Sequence, residues 1–202
     1  MEVKRFAIDL PAVNCYLVFE GKEGLIIDPG KAAPEVLEFI RRRQLEIKAI
    51  INTHGHADHI GGNSWFINKT KAPLWIHEAD AAFLGDPNLN LAPFLRQEFP
   101  HVVPDRLLKD RDEFKVGATV FQILHTPGHS PGSVSLYSKG ILFSGDTLFK
   151  SSVGRWDLPG GDRRALQESV LKLGRLPLET KVYPGHGEAT TIEEEIKKNP
   201  FL

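Results

Sequence analysis

Along the opening stretch of the chain, hydrophobic and polar positions follow the short period of β-strands. They predict strands over Val3 to Ile8, Asn14 to Phe19 and Gly24 to Asp28, a meander closed by the Pro29-Gly30 turn. The spacing then lengthens to that of a helix over Pro34 through Arg42. Val36, Leu37 and Ile40 share one face there, and Arg41, Arg42 and Arg43 gather at the C-terminal end, where the helix dipole favours positive charge. A short apolar run, Ala49-Ile50-Ile51, leads directly into Thr53-His54-Gly55-His56-Ala57-Asp58-His59. Gly61-Gly62 separates that string from a helical stretch, Asn63 to Asn68.

Further strands are predicted at Leu74 to Ile76, Thr119 to Leu124, Val134 to Tyr137, Ile141 to Ser144 and Lys181 to Tyr183. Helices are predicted at Arg163 to Leu173 and Ile192 to Lys198. Gly85 to Pro104, rich in Pro, Asn and Leu without clean periodicity, reads as a covering loop with short helical turns. Its apolar part, Leu89 to Phe99, would line a pocket, form a dimer contact or simply pack. Strands and helices alternate irregularly, which predicts two mixed sheets with helices outside.

Composition narrows the class. The 202 residues suit a single domain spanning 1–202 that buries its own core. With 25 basic against 26 acidic side chains, no global field attracts phosphate backbones, so nucleic acid and anionic membrane surfaces are not expected partners. Cys15 has no second cysteine to pair with and reads as a small buried hydrophobe, which fits a reducing cytoplasm. The N-terminal segment lacks the pattern of a secretory signal, and no stretch of about eighteen apolar residues occurs. The protein is expected to be soluble and cytoplasmic.

The chemistry lies at strand ends. His54, His56, Asp58 and His59 fall within six residues, and imidazole and carboxylate are ligands of zinc, manganese and iron. The same ligand types recur after predicted strands: His129 in Thr126-Pro127-Gly128-His129-Ser130, Asp146 in Ser144-Gly145-Asp146-Thr147 and His186 in Tyr183-Pro184-Gly185-His186-Gly187. A glycine precedes each one, letting several loops aim side chains at one small volume. Seven ligands exceed what one tetrahedral zinc takes. Two metal ions bridged by a carboxylate and a hydroxide would use them all and supply a nucleophile near neutral pH. The other histidines read differently. His77 would cap a helix, His101 sits in the loop, and His125 would orient a ligand or be satisfied in the interior.

His54-x-His56-x-Asp58-His59, followed in order by His129, Asp146 and His186, resembles the metallo-β-lactamase superfamily over about Val3 to His186. The strings Thr126 to Ser130 and Phe143-Ser144-Gly145-Asp146-Thr147-Leu148-Phe149 resemble its glyoxalase II branch, the hydroxyacylglutathione hydrolases and their shorter bacterial relatives. The resemblance implies an αββα sandwich and one metal held by His54, His56 and His129. A second metal falls to Asp58, His59 and His186, with Asp146 bridging. β-Lactamases of the superfamily commonly have a cysteine where Asp146 stands, so lactam hydrolysis is not implied. The extra C-terminal helical domain of longer glyoxalase II enzymes is not expected here, and where those enzymes have a tyrosine after the last histidine the sequence reads His186-Gly187-Glu188-Ala189-Thr190. The segment Val153 to Asp162 resembles the short relatives, in which a basic residue at the position of Arg155 lies beside the active site. Arg155 would then meet a substrate carboxylate, or pair with Asp157 or Asp162.

The expected reaction is hydrolysis of a small acyl thioester such as S-lactoylglutathione, with lactones and other esters next. A metal-bridging hydroxide would attack the carbonyl while Asp58 holds the water, and zinc is the expected pair of ions. A thiolate leaves without protonation, so the absence of an evident general acid favours thioesters over amides. The competing enzyme class is a persulfide dioxygenase, with a single iron at His54, His129 and Asp146.

Overall fold

The computed structural model describes residues 1–8, 13–95 and 100–202. Strands β1 (Glu2–Ile8), β2 (Val13–Glu20) and β3 (Glu23–Ile27) form the predicted antiparallel meander. Helix α1 (Pro34–Arg43) returns the chain to β4 (Glu46–Ile51), parallel to β3. Pro34 opens this helix, where its missing N–H costs nothing, and Gln44 closes it in the left-handed conformation at φ 53°. After α2 (Ala57–Ile60) and α3 (Asn63–Thr70), β5 (Leu74–His77) pairs parallel with β4.

The covering segment is built of short helical turns, as its composition predicts. A 3-10 helix spans Glu78–Leu84, α4 spans Pro87–Asn90 and a second 3-10 turn spans Ala92–Leu95. Residues 96–99, the end of the apolar stretch Leu89 to Phe99, lie outside the described residues. Strand β6 (Arg106–Leu108) then completes a sheet ordered β1-β2-β3-β4-β5-β6.

Strands β7 (Glu113–Val116), β8 (Thr119–His125), β9 (Val134–Ser138) and β10 (Ile141–Gly145) run antiparallel. A small ribbon, β11 (Leu148–Phe149) with β12 (Ser152–Val153), precedes helix α5 (Arg163–Leu173). This crossover brings β13 (Lys181–Pro184) parallel to β10. Strand β14 (Thr190–Thr191) and helix α6 (Ile192–Lys198) finish a second sheet ordered β14-β13-β10-β9-β8-β7. Strands β6 and β7 are not among the predicted strands: β6 is three residues long, and the alternation of β7, Glu113-Phe114-Lys115-Val116, spans only two apolar positions.

Both sheets are mixed, and alternate residues of their inner strands feed different cores. In β2, Cys15, Leu17 and Phe19 join Val36 and Ile40 of α1 and Phe66 of α3, while Tyr16 and Val18 face the second sheet. Phe114, Phe121, Ile123, Leu136 and Phe143 meet them there. On the far side of the second sheet, Leu142 and Val182 pack on Leu166, Val170 and Leu173 of α5 and Ile192 of α6. Three cores between helix, sheet, sheet and helix make four layers, each sheet burying both of its faces. The C-terminal ends of β4, β8, β10 and β13 reach one rim, and the loops leaving them carry the candidate ligands.

Candidate metal centre

At that rim the structure brings together all seven side chains singled out in the sequence. His54, His56 and His129 form one group, His54, His59 and Asp146 a second, and Asp58, His59 and His186 a third. Within each, the ligand atoms lie within 4.8 Å of one another. His56 stands just before α2, whose first turn projects Asp58 and His59. His56 Nδ1 lies 2.8 Å from His129 Nε2, which is 3.2 Å from His54 Nε2. His59 Nε2 is 3.2 Å from His186 Nε2 and 3.4 Å from Asp146 Oδ1. Asp58 Oδ2 is 3.2 Å from His186 Nε2, and Asp146 Oδ2 stands 3.6 Å from His129 Nε2. Asp146 thus reaches both the His129 side and the His59 side.

The outer nitrogens are held by residues that the hydrophobic pattern hid. Asp28, at the end of β3, accepts from Thr53 N and Thr53 Oγ1 at 2.7 Å each, and its Oδ2 lies 3.0 Å from His59 Nδ1. The Thr53 hydroxyl gives its proton to Asp28, so it faces His54 Nδ1, 3.2 Å away, as an acceptor. One buried carboxylate therefore fixes the tautomers of His59 directly and of His54 through Thr53, leaving each Nε2 lone pair turned inward. His129 is fixed likewise, its Nδ1 donating to the Arg155 carbonyl at 2.8 Å.

Other buried groups hold the loops. Asp80 accepts from Gly55 N (2.9 Å), Ser130 Oγ (2.6 Å) and Gly132 N (2.6 Å), clasping the His54–His56 turn to the His129 turn. Asn14 and Tyr16 of β2 donate to Pro184 O at 3.0 and 2.7 Å, bracing the loop of His186. A polar residue inside an otherwise apolar strand was the available signal for both. Gly185 is required by close approach: a Cβ there would lie 2.1 Å from Asp146 Oδ1 and 2.8 Å from His59 Cε1.

Electrostatics divide the cluster. Burial and the neighbouring histidines hold His54 well below the ordinary imidazole range, and burial, then His129, push His56 down to about 3. These rings are neutral donors at neutral pH. Burial opposes charge on His59 too, but Asp146, Asp58 and Asp28 raise it to about 10. His186 is also raised, by Asp58 and Asp146 against burial. Burial would raise the Asp58 carboxyl, yet His59 and His186 hold it well below the carboxylate range.

The donor set fits divalent metal. Asp146 Oδ1 is buried without a hydrogen-bond partner, an expensive condition for a polar atom that a cation relieves, and His54 Nε2, His56 Nδ1 and His129 Nε2 face one another across a small volume. Histidine and carboxylate without thiolate suit zinc, iron and manganese alike. Above the cluster opens a cavity of about 910 Å³, reached by His56, Asp58, His129, Asp146 and His186.

The remaining candidates stand elsewhere or act otherwise. Arg155 lines this cavity, but its guanidinium pairs with Asp157 through Nε–Oδ1 and Nη2–Oδ2 bonds of 2.9 Å each. Its backbone carbonyl is what touches a candidate ligand. His77 caps the 3-10 helix by accepting from Ala79 N. His125 does not orient a ligand: it stacks on His77, with ring centroids 4.2 Å apart, and its Nε2 lies 2.9 Å from Pro131 O. His101 is exposed and lies against Gly85.

Comparison with known proteins agrees with this architecture. The family model described as "Metallo-beta-lactamase superfamily" matches residues 8–186. The hydroxyacylglutathione hydrolase GloC of Haemophilus influenzae is 35% identical, over 94% of this chain and 92% of its own. Among solved structures, the BLEG-1 B3 metallo-beta-lactamase superposes with a TM-score of 0.93 at 39% identity, over 100% of this chain and 99% of that one. TTHA1623, solved in a di-iron-bound form, gives 0.90 at 38% identity, over 99% and 100%.

Proposed function

The chain belongs to the metallo-beta-lactamase superfamily and has its fold, and from that premise we propose that this metal-dependent hydrolase is a glyoxalase II-like thioesterase. The observation that carries the reading is the set of seven converging ligands, with Asp146 Oδ1 buried and unpartnered among them. His54, His56 and His129 would hold one ion and Asp58, His59 and His186 a second, with Asp146 between them. Bound there, divalent ions polarise a carbonyl oxygen and lower the pKa of water towards neutrality.

The chain's own residues set up the rest. Asp28, Thr53 and the Arg155 carbonyl keep three imidazoles in the tautomer that donates inward. Asp58 turns Oδ2 towards His186, which leaves its other oxygen to accept a proton from water and orient the attack. A thioester sulfur leaves as thiolate without a proton donor. GloC, a hydroxyacylglutathione hydrolase over nearly its whole length of similarity, supports the thioester reading. Zinc is the metal of the proposal, with iron next because of the di-iron form of TTHA1623. The working unit is one domain over 1–202 acting on a small molecule, not nucleic acid, and the lone buried Cys15 suits the reducing cytoplasm. Similarity to BLEG-1 supports lactam hydrolysis as the second reading.

The test is turnover of S-lactoylglutathione and of a β-lactam by zinc-loaded and iron-loaded protein beside Asp58→Ala. Thioester hydrolysis is expected, falling about 10²–10⁴-fold in the variant together with part of the bound metal. Normal turnover by Asp58→Ala with all metal retained would overturn the assignment of Asp58. Turnover of the lactam alone would favour the second reading.

A further inference from the structure

The converging histidines and carboxylates form only the floor of the cavity, and the rest of its lining has a different chemistry. Leu91, Pro93 and Phe94 enter from the segment after α4, and Phe149, Val153 and Leu158 from the stretch running through the small β-ribbon. Beyond the floor, the charged side chains among the described lining residues are Arg155 and Asp157, which neutralise one another through two hydrogen bonds. The lining amides are turned to their own chain. Asn90 donates to Phe83 O and accepts from Ala92 N, and Asn88 donates to Asp86. Phe94 is 83% exposed, an aromatic surface at the cavity that none of the described residues covers.

Size points the same way. A cavity of about 910 Å³ is of the class that encloses a whole drug-sized ligand, so it has room for an acyl chain of several carbons along its apolar walls. Charged groups on a ligand would find no unpaired counter-charge among the described lining residues, whereas an apolar chain would be desolvated along its length.

Resting on the hydrolase reading above, we propose that the substrate carries an apolar acyl chain of medium length, about six to ten carbons. Its carbonyl lies at the ligand cluster and its chain along Leu91, Phe94 and Phe149. In the reaction, water oxygen bonds to the acyl carbon, the carbon–sulfur bond breaks and the sulfur takes the electron pair. Carboxylate, thiol and one released proton result.

The experiment is a series of straight-chain acyl thioesters of N-acetylcysteamine, from acetyl to decanoyl, with zinc-loaded protein. Saturation-transfer NMR of octanamide against acetamide reads the same subsite without turnover. The expected kcat/KM rises up to about fourfold for each buried methylene, and octanamide binds more tightly than acetamide. Phe94→Ser, at an exposed position that folding does not require, lowers the slope and weakens octanamide binding, whereas Leu178→Ser, remote from the cavity, alters neither. Hydrolysis with a flat or falling profile overturns the inference and keeps the thioesterase. Octanamide bound through Phe94 without hydrolysis of any thioester keeps the apolar subsite and overturns the reaction. Equal binding of the two amides overturns the subsite.

Discussion

Asp28 shows how much of a metal centre can rest on a residue that touches no metal. Its carboxylate holds His59 directly and His54 through Thr53, so replacing it leaves two ring orientations unsupported. Asp28→Asn is expected to weaken metal binding and kcat about 10–100-fold with the far-UV spectrum unchanged, measured by metal analysis after dialysis beside turnover. Full occupancy and full rate in the variant would show that the imidazoles hold their tautomers unaided. The converging ligands were legible in the sequence because imidazole and carboxylate clustered behind glycines are rare chemistry. Asp28, Asp80 and Tyr16 were not, since each acts on a loop that only folding brings near; Tyr16 and its partner Pro184 are 168 positions apart. Arg155 was legible as a position but not as an atom, because a backbone carbonyl leaves no trace in residue type.

At the scale of elements, legibility followed the local stop signals. Helix α5 runs over Arg163–Leu173, as predicted, because Asp162 caps it, its side chain accepting from Arg164 N at 2.8 Å and Ala165 N at 3.0 Å. Helix α6 starts as sharply behind the Thr191 cap. Asp162→Ala is expected to cost about 1 kcal/mol and lower the melting temperature by roughly 2–4 °C, read by calorimetry. An unchanged melting temperature would mean that packing of Leu166 and Val170 alone sets the helix start. Strands β6 and β7 had no such markers, and their existence is decided by the edges they cover, a fact of tertiary structure.

For the whole molecule, two sheets must stay in register for the site to exist. His77 at the end of β5 and His125 at the end of β8 stack across that seam, their ring planes nearly parallel at 8°. Burial and then His125 lower the His77 pKa, against Glu78, Asp110 and Asp112, which raise it. A folded-state value below the unfolded one means that the unfolded chain takes the proton first. The associated stability is present above the unfolded histidine pKa of about 6.5 and is lost as pH falls below it. Denaturant unfolding at pH about 7.5 and 5.5 is expected to show that loss, and His77→Phe to make it smaller. An identical loss in the variant would assign the whole effect to the other histidines.

The division of ligands between the two sheets also has a consequence in time. A chain leaves the ribosome N-terminus first, so His54, His56, Asp58 and His59 are made, with the whole of the first sheet, well before His129, Asp146 and His186. The last of these arrives with β13, which must lay itself parallel to β10 before His186 can reach Asp58. A nascent chain halted after β6 therefore presents four ligand side chains with no partners to complete either group around them. Completion of either ligand group waits on the second sheet, and the Asp58 side of the site closes only once β13 has docked on β10.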